Sequence, residues 1–222
     1  MGRHSERARD ALMDAAEQLF ALHGIEGASN RQIAELAGQA NHSAVAYHFG
    51  GREDLLRALI ARHRPPIDAR QRELIEALAP AATVPELIAC RVMPWIEMLS
   101  DLPRPTWRAR FLAQLPSLPA MTELIAGLSP TGAGSRSATE LNARLVTALS
   151  DVPVSVLMGR AAILGQMVLT TCAAYERDVA AGVRRPDWIG VGYFLVDASA
   201  GMLAAPVTHR SEVPSSFAAA LV

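Results

Sequence analysis

The chain has 222 residues and a formal net charge of −1; half of its residues are hydrophobic and 19% are charged. This length can bury a substantial core, either in one large domain or in a small domain beside a larger one. All 21 basic residues are arginine, but residues 1–64 hold as many acidic residues as arginines, which excludes a bulk electrostatic attraction to nucleic acid.

The apolar surplus fits a large apolar interface or cavity, and equally a well-filled core. The two cysteines, Cys90 and Cys172, are far apart and form no C-x-x-C pair. This disfavours a metal or redox site and fits a reduced compartment. The first residues are polar, and Gln166 and Asp197 interrupt the most apolar stretches before they reach the length of a membrane span. We therefore expect a cytoplasmic protein with no metal, no cofactor and no membrane partner.

Helical periodicity runs through most of the chain, while the alternation typical of strands is nearly absent, so the sequence predicts an all-α fold. The predicted helices of the N-terminal part cover 5–23, 30–37, 42–48 and 52–63. Ser5 begins the first helix, Gly24 ends it, and Gly38 ends the second.

Pro65-Pro66 is the clearest break in the pattern, because neither residue can continue a helix, and we place a domain boundary there. Beyond it, the pattern predicts helices over 67–79, 84–101, 105–115, 119–128, 137–149, 156–181 and 187–204, with a loop over 129–137. The predicted organisation is a helix-turn-helix domain (1–51), a connecting fourth helix (52–65), a larger helical domain (66–205) and a loose tail (206–222).

The second and third helices, joined by a tight turn, have the arrangement of a helix-turn-helix. In that motif one face of the second helix packs inward and the other meets base edges. On a helical wheel Val45 and Phe49 face inward. The opposite face presents Ala40, Ser43, Ala44, Tyr47 and His48. Small side chains let such a helix enter the major groove, and Tyr47 and His48 are long enough to reach phosphates.

Several anchors of this region occur in the order found in one known family. They are Leu19-Phe20, Gly24, the run Arg31-Gln-Ile-Ala-Glu-Leu-Ala-Gly38, then Tyr47-His-Phe49, and finally Arg52-Glu-Asp-Leu-Leu56. Over residues 8–60 the chain resembles the TetR family of transcriptional regulators. The resemblance implies a homodimer that binds a double-stranded, palindromic DNA operator, acts as a repressor, and is not an enzyme.

The resemblance also implies DNA-binding roles for individual residues. Arg31 would reach a base or phosphate, Asn41, His42, Ser43 and Ala44 would read base edges, Tyr47 and His48 would clamp the backbone, and Arg52 would hold a phosphate. For four of these residues a purely structural role remains the alternative to DNA binding. Tyr47 would cover the core, His48 would cap a helix, Arg31 would lie on a solvated surface and His42 would face inward. The turn at 38–41 is one residue longer than the common family pattern, and Ala28 replaces a capping Thr, so Ser29 or Asn30 must cap instead.

In this family the C-terminal domain dimerises through its last two long helices, which here are 156–181 and 187–204. Small residues that allow close helix approach are Gly159, Ala162, Gly165, Ala173, Ala174, Gly190, Gly192, Ala198 and Gly201. Apolar contacts would come from Met158, Ile163, Met167, Val191, Leu195 and Met202. The alternative is that both are internal core helices.

The resemblance places an effector pocket among the middle helices. Apolar walls would be Trp95, Met98, Leu99, Trp107, Phe111, Met121, Met167 and Tyr175. Polar groups that orient the ligand would be Arg108, Gln114, Thr171 and Glu176. Any one of these residues could instead belong to the core. We expect an unknown apolar small-molecule effector that shifts the dimer away from its DNA-binding state, with the fourth helix transmitting the change.

Two other classes of function would leave different features in the sequence. An enzyme lacks support, because the sequence has no Ser-His-Asp order, no Gly-rich phosphate loop and no H-E-x-x-H, and five of six histidines precede residue 64. A helical lipid carrier or interaction protein would explain the apolar C-terminal part but not the motif at 31–56. An activator or a ligand-independent repressor remains open.

Overall fold

The computed structural model describes residues 3–117 and 136–208, and every regular element in these ranges is helical. The predicted all-α class is confirmed. The N-terminal part contains α1 (Arg3–His23), α2 (Asn30–Leu36), α3 (Ala44–Phe49) and α4 (Arg52–Ala61). The ends lie within about two residues of the predicted ones, which is the usual uncertainty of helix boundaries.

One apolar core joins these four helices. Phe20, Ile33, Val45 and Leu55, one from each helix in order, are fully buried in it. Each occupies the inward face that the helical periodicity predicts, since residues three and four apart share a face. Helices α2, α3 and α4 have only seven, six and ten residues, so packing of these faces rather than intrinsic propensity stabilises them.

The second part begins with α5 (Arg64–Glu76) and α6 (Val84–Asp101), followed by the short α7 (Arg108–Leu112), a 3-10 turn (Leu115–Ser117) and α8 (Arg136–Ala148). Pro65 and Pro66 lie in the first turn of α5, whose N–H groups have no helical partner, so the two prolines open a helix that the sequence predicted to start only at 67. The predicted helix 119–128, most of the loop 129–137 and most of the tail lie outside the described residues.

Two further helices complete the described structure, α9 (Val154–Ala180) and α10 (Trp188–Ala204). The last one packs along α6 at very close range. A Cβ placed on Gly192 would lie 2.8 Å from Met93 Sδ and 3.0 Å from Ile96 Cγ2. Gly192 therefore allows a close approach, as predicted, but to α6 of the same chain.

By length and composition α9 could cross a membrane, although the core helix of a soluble protein passes the same test. Our expectation that Gln166 shortens this stretch below a span was wrong, because one uncharged polar residue changes the mean hydropathy of a long helix little. Two polar side chains of α9 form hydrogen bonds with other helices of the same chain. Arg160 donates to the carbonyls of Leu203 and Ala205 at the C-terminal end of α10, and Glu176 contacts α7.

Candidate nucleic-acid interface

A capping box fixes the start of α2. Ser29 Oγ accepts the backbone N–H of Gln32 at 3.2 Å, and Gln32 Oε1 accepts the backbone N–H of Ser29 at 2.8 Å. These bonds satisfy two groups that a helix start leaves without partners. Ser29 thus caps the helix in place of residue 28, as one of the two sequence alternatives proposed.

The turn between α2 and α3 is built from Gly38 and Asn41. Gly38 has φ +67°, a left-handed conformation that ends α2. Asn41 Oδ1 accepts the backbone N–H of Ser43 at 2.9 Å, and the carbonyl of Asn41 accepts the N–H of Ala44 at 3.0 Å. The longer turn is therefore an Asx turn that starts α3, and it places Asn41 and His42 before the helix.

The two faces of α3 differ sharply in exposure. Tyr47 is 80% exposed, and Ser43 and Ala46 lie on the same outer face. This exposure excludes the alternative in which Tyr47 roofs the core. Its ring meets that of the half-buried His48 edge to face, with centroids 4.9 Å apart.

Ala44 is buried together with Val45 and Phe49, which corrects the expectation that Ala44 faces base edges. The buried arc of the helix is centred between positions 44 and 45 rather than on Val45, and it therefore takes in Ala44.

Two exposed arginines belong to this part of the molecule, Arg31 of α2 and Arg9 of α1. The exposed Arg31 pairs through Nε with Glu35 Oε1 at 2.8 Å, and an exposed pair of this kind is easily exchanged for water or phosphate. Arg9, which the sequence analysis did not single out, donates to the carbonyl of His48 at 2.8 Å and lies 4.3 Å above the ring of Phe49. No local pattern links residues 39 positions apart, so the role of Arg9 emerges only in the fold.

Arg52 binds other residues of the same domain. Its guanidinium donates to Asn30 Oδ1 at 3.2 Å and to the carbonyl of Ile25, and it lies 4.9 Å from the centre of the Phe20 ring. Burial lowers the pKa of Arg52. In the structure Arg52 thus binds Asn30 and Ile25, and its binding of a phosphate stays a prediction.

Comparison with known proteins identifies this arrangement. The family model described as bacterial regulatory proteins, tetR family, matches residues 12–59, which cover all of α2 and α3 and most of α1 and α4. The comparison confirms the resemblance to the tetR family over this segment, and we call residues 12–59 the tetR-type domain.

Three curated relatives match the same part of the chain. The HTH-type transcriptional regulator SrpR of Pseudomonas putida is 34% identical over 64 residues, 29% of this chain and 30% of that protein. The uncharacterized HTH-type transcriptional regulator TtgW, also of Pseudomonas putida, is 33% identical over 64 residues, 29% of this chain and 47% of that protein. The HTH-type transcriptional repressor AcnR of Corynebacterium glutamicum is 38% identical over 52 residues, 23% of this chain and 27% of that protein. The alignments thus span less than half the length of each relative.

Helix α7, from the second part of the chain, packs on the tetR-type domain. Arg108, only 2% exposed, donates to the carbonyls of Leu59 and Ile60 at 2.7 and 3.1 Å and to Glu17 Oε2 at 3.1 Å. These carbonyls lie at the C-terminal end of α4, where a helix carries partial negative charge. Burial raises the pKa of Glu17, and the charge of Arg108 opposes that rise.

Two more residues of this segment contact α1. Phe111 stacks on Phe20 with ring centroids 5.9 Å apart. Gln114 donates to the carbonyl of Phe20 at 2.6 Å and accepts the N–H of Ile25 at 3.2 Å. Arg108, Phe111 and Gln114 were expected to line an effector pocket and instead bind the tetR-type domain. Periodicity shows that a residue is buried but not which element covers it.

Glu176 of α9 caps the start of α7. Its carboxylate accepts the backbone N–H groups of Ala109 and Arg110 at 3.0 Å each, Arg110 Nε at 3.1 Å and Thr106 Oγ1 at 3.2 Å. Glu176 is 1% exposed. The expectation that Glu176 orients a ligand is therefore corrected, because the residue caps a helix. A continuous set of contacts thus runs from α9 through α7 to α1 and α4.

A cavity of about 220 Å³ lies elsewhere in the second part of the chain, among α6, α8, α9 and α10. Of the expected effector residues within the described ranges, Trp95 lines it. The other side chains lie outside its lining: Met98, Leu99, Trp107, Met167, Thr171 and Tyr175. Tyr175 has its hydroxyl bonded to the carbonyl of Arg185 and the N–H of Asp187. Met121 lies outside the described residues.

The expected dimerisation residues divide into two groups. Gly159 and Leu195 are buried within the chain, which corrects their assignment to an intermolecular contact. Half-buried positions are Ala162, Gly165, Val191 and Met202. The large apolar side chains that remain exposed on α9 and α10 include Met158, Ile163, Ile189, Tyr193 and Phe194.

Proposed function

We propose that this chain is a homodimeric, ligand-responsive repressor of the tetR family that binds a palindromic double-stranded DNA operator in the cytoplasm. The observation that carries the proposal is the outer face of α3. Its opposite face packs on the domain core, while Tyr47 projects with 80% of its surface exposed. A short helix held in this way, inside a segment that matches the family, is suited to the major groove.

The side chains assigned to DNA follow from that geometry. His42 and Ser43 lie exposed at the start of α3, where recognition helices meet base edges. Asn41 uses its carbonyl oxygen in the turn, which leaves its amide N–H₂ group to donate to a base or phosphate. Tyr47, His48 and Arg31 are assigned to the DNA backbone flanking these contacts.

A dimer is proposed through the exposed faces of α9 and α10. Ile189, Tyr193 and Phe194 lie at i, i+4 and i+5 of one helix and form an apolar face on that side. A contiguous apolar surface of this kind marks an interaction site. A two-fold contact there pairs two recognition helices with half-sites one helical turn apart.

The experiment is fluorescence anisotropy of the purified protein with its own upstream intergenic DNA at two salt concentrations, alongside reconstituted transcription. Tyr47→Ala and Arg31→Ala are compared with Arg72→Ala, an exposed arginine of α5. We expect tight, salt-sensitive binding, weakened at least tenfold by Tyr47→Ala, and a salt dependence reduced by about one unit of slope by Arg31→Ala. Arg72→Ala should bind like wild type, and bound protein should lower transcription.

A folded dimer that binds neither upstream DNA nor any fragment in a genome-wide selection would overturn the proposal. That result would favour the helical carrier or interaction protein. Binding that raises transcription would instead make the protein an activator.

The conformational change that releases DNA is proposed to be transmitted by α7. This helix is capped by Glu176 of α9. It holds the end of α4 through Arg108, and Gln114, just after the helix, binds α1. A ligand that shifts α9 would therefore alter the orientation of the tetR-type domain, as a population shift between two states of the dimer. This adds α7 to the fourth helix as the route of transmission.

A further inference from the structure

The cavity in the second part of the chain is small and mostly apolar. Leu157, Leu164 and Val168 of α9 form one wall, and Trp95 of α6 contributes to another. Its volume of about 220 Å³ exceeds the roughly 150 Å³ that suffices to hold a benzene ring in an apolar protein cavity. An aromatic ring or a short acyl chain therefore fits the space.

A buried cation lines the same cavity. Arg91 of α6 is 8% exposed, and its guanidinium donates to the amide oxygen of Asn142. In the described part of the chain its Nε has no hydrogen-bond partner, and no carboxylate pairs with it. Burial lowers the pKa of Arg91 to about 10, so the side chain remains cationic at neutral pH.

A buried cation with one neutral partner is costly, because it loses hydration without gaining an opposite charge. Ser199 of α10 lines the cavity as well, and its buried hydroxyl makes no hydrogen bond within the described residues. The site therefore offers a planar cation and a hydroxyl donor beside apolar walls. Carboxylates match the planar donor geometry of arginine best.

We propose that the cavity binds a small amphipathic monocarboxylate. Its carboxylate pairs with Arg91 and accepts a hydrogen bond from Ser199, and its apolar body packs on Leu157 and Val168. This narrows the effector from an apolar compound to an organic acid with a compact hydrophobic body. The assignment of this ligand as the effector rests on the proposed function, while its binding does not.

The test compares ligands with the same apolar body on the full-length protein. Octanoate, 1-octanol and octylammonium, and separately 3-phenylpropionate and 3-phenylpropanol, are titrated by calorimetry and by the shift in thermal unfolding. We expect each acid to bind at least tenfold more tightly than its alcohol and octylammonium not to bind. Arg91→Met should remove the preference for the acid, while Arg72→Met, which changes an exposed arginine, should keep it.

Ser199→Ala should weaken the binding of the acids several-fold and leave the binding of the alcohols unchanged. It serves as a second variant if Arg91→Met does not fold. Equal affinity for acid and alcohol, or no binding of either acid, would overturn the proposal. The anisotropy assay is run on the same samples. Acid binding at Arg91 without any effect on the operator would contradict only the effector role. Operator binding without acid binding would contradict the ligand assignment alone.

Discussion

Arg108 and Glu17 form a buried ion pair, with Nη1 and Oε2 3.1 Å apart, that joins the second part of the chain to the tetR-type domain. The two residues are 91 positions apart and come from α7 and α1. The same guanidinium also closes the C-terminal end of α4. Arg108 therefore ties α7 to both α1 and α4.

Arg108→Met should destabilise the protein strongly. The substitution strands the carboxylate of Glu17 in a buried site, and breaking a buried pair in this way costs about 3–5 kcal/mol. Urea unfolding measures the loss. Glu17→Gln and the double variant complete a double-mutant cycle. The double variant should lose at least about 1 kcal/mol less unfolding free energy than the two single variants lose together. Strict additivity would mean that the two charges do not interact.

Ser29→Ala should lower the free energy of unfolding by about 1 kcal/mol, since it removes the cap of a seven-residue helix. Urea unfolding again provides the measurement, and Ser29→Thr, which keeps the hydroxyl, is the matched control. Operator affinity should fall with the same substitution, because α2 positions the turn that starts α3. An alanine variant as stable as the threonine variant would show that the capping box contributes nothing.

His63 should make the protein less stable in acid. Burial, together with the charges of Arg108 and Arg62, lowers the pKa of His63 from its ordinary 6.5 to about 4. Between these values the unfolded chain binds a proton that the folded chain does not, so this stability is complete above pH 6.5 and is lost as the pH falls towards 4.

His63→Gln should therefore reduce the difference in unfolding free energy between about pH 7.5 and about pH 4.5. The variant and wild type are compared at each pH, so that the opposite effect of Glu17, whose pKa burial raises, cancels. An unchanged pH dependence would contradict the assignment to His63.

Phe194→Glu should convert the proposed dimer to a monomer, because it places a charge on the exposed apolar face of α10. Light scattering after size exclusion measures the mass. Leu22→Glu, at an exposed apolar residue of α1, is the control and should stay dimeric. If Phe194→Glu remains dimeric and Leu22→Glu does not, the interface lies elsewhere than proposed.

The sequence by itself determined the helical fold and the helix-turn-helix. Local spacing decides both, since an inward face repeats every three or four residues and Gly24, Gly38 and Gly50 end helices at positive φ. It also narrowed the cap of α2 to Ser29 or Asn30. Even within this domain, Ala44 was assigned to the wrong face, because two inward residues do not fix the centre of a buried arc.

Only the tertiary structure decided which helix each buried residue contacts. Arg108 and Gln114 have the residue types of a ligand site, yet they bind α1 and α4, while Arg91 and Ser199 line the cavity without any signal in their local sequence. Periodicity reports burial along one helix at a time. The partner across the interface depends on how distant helices pack, and that information is spread over the whole chain.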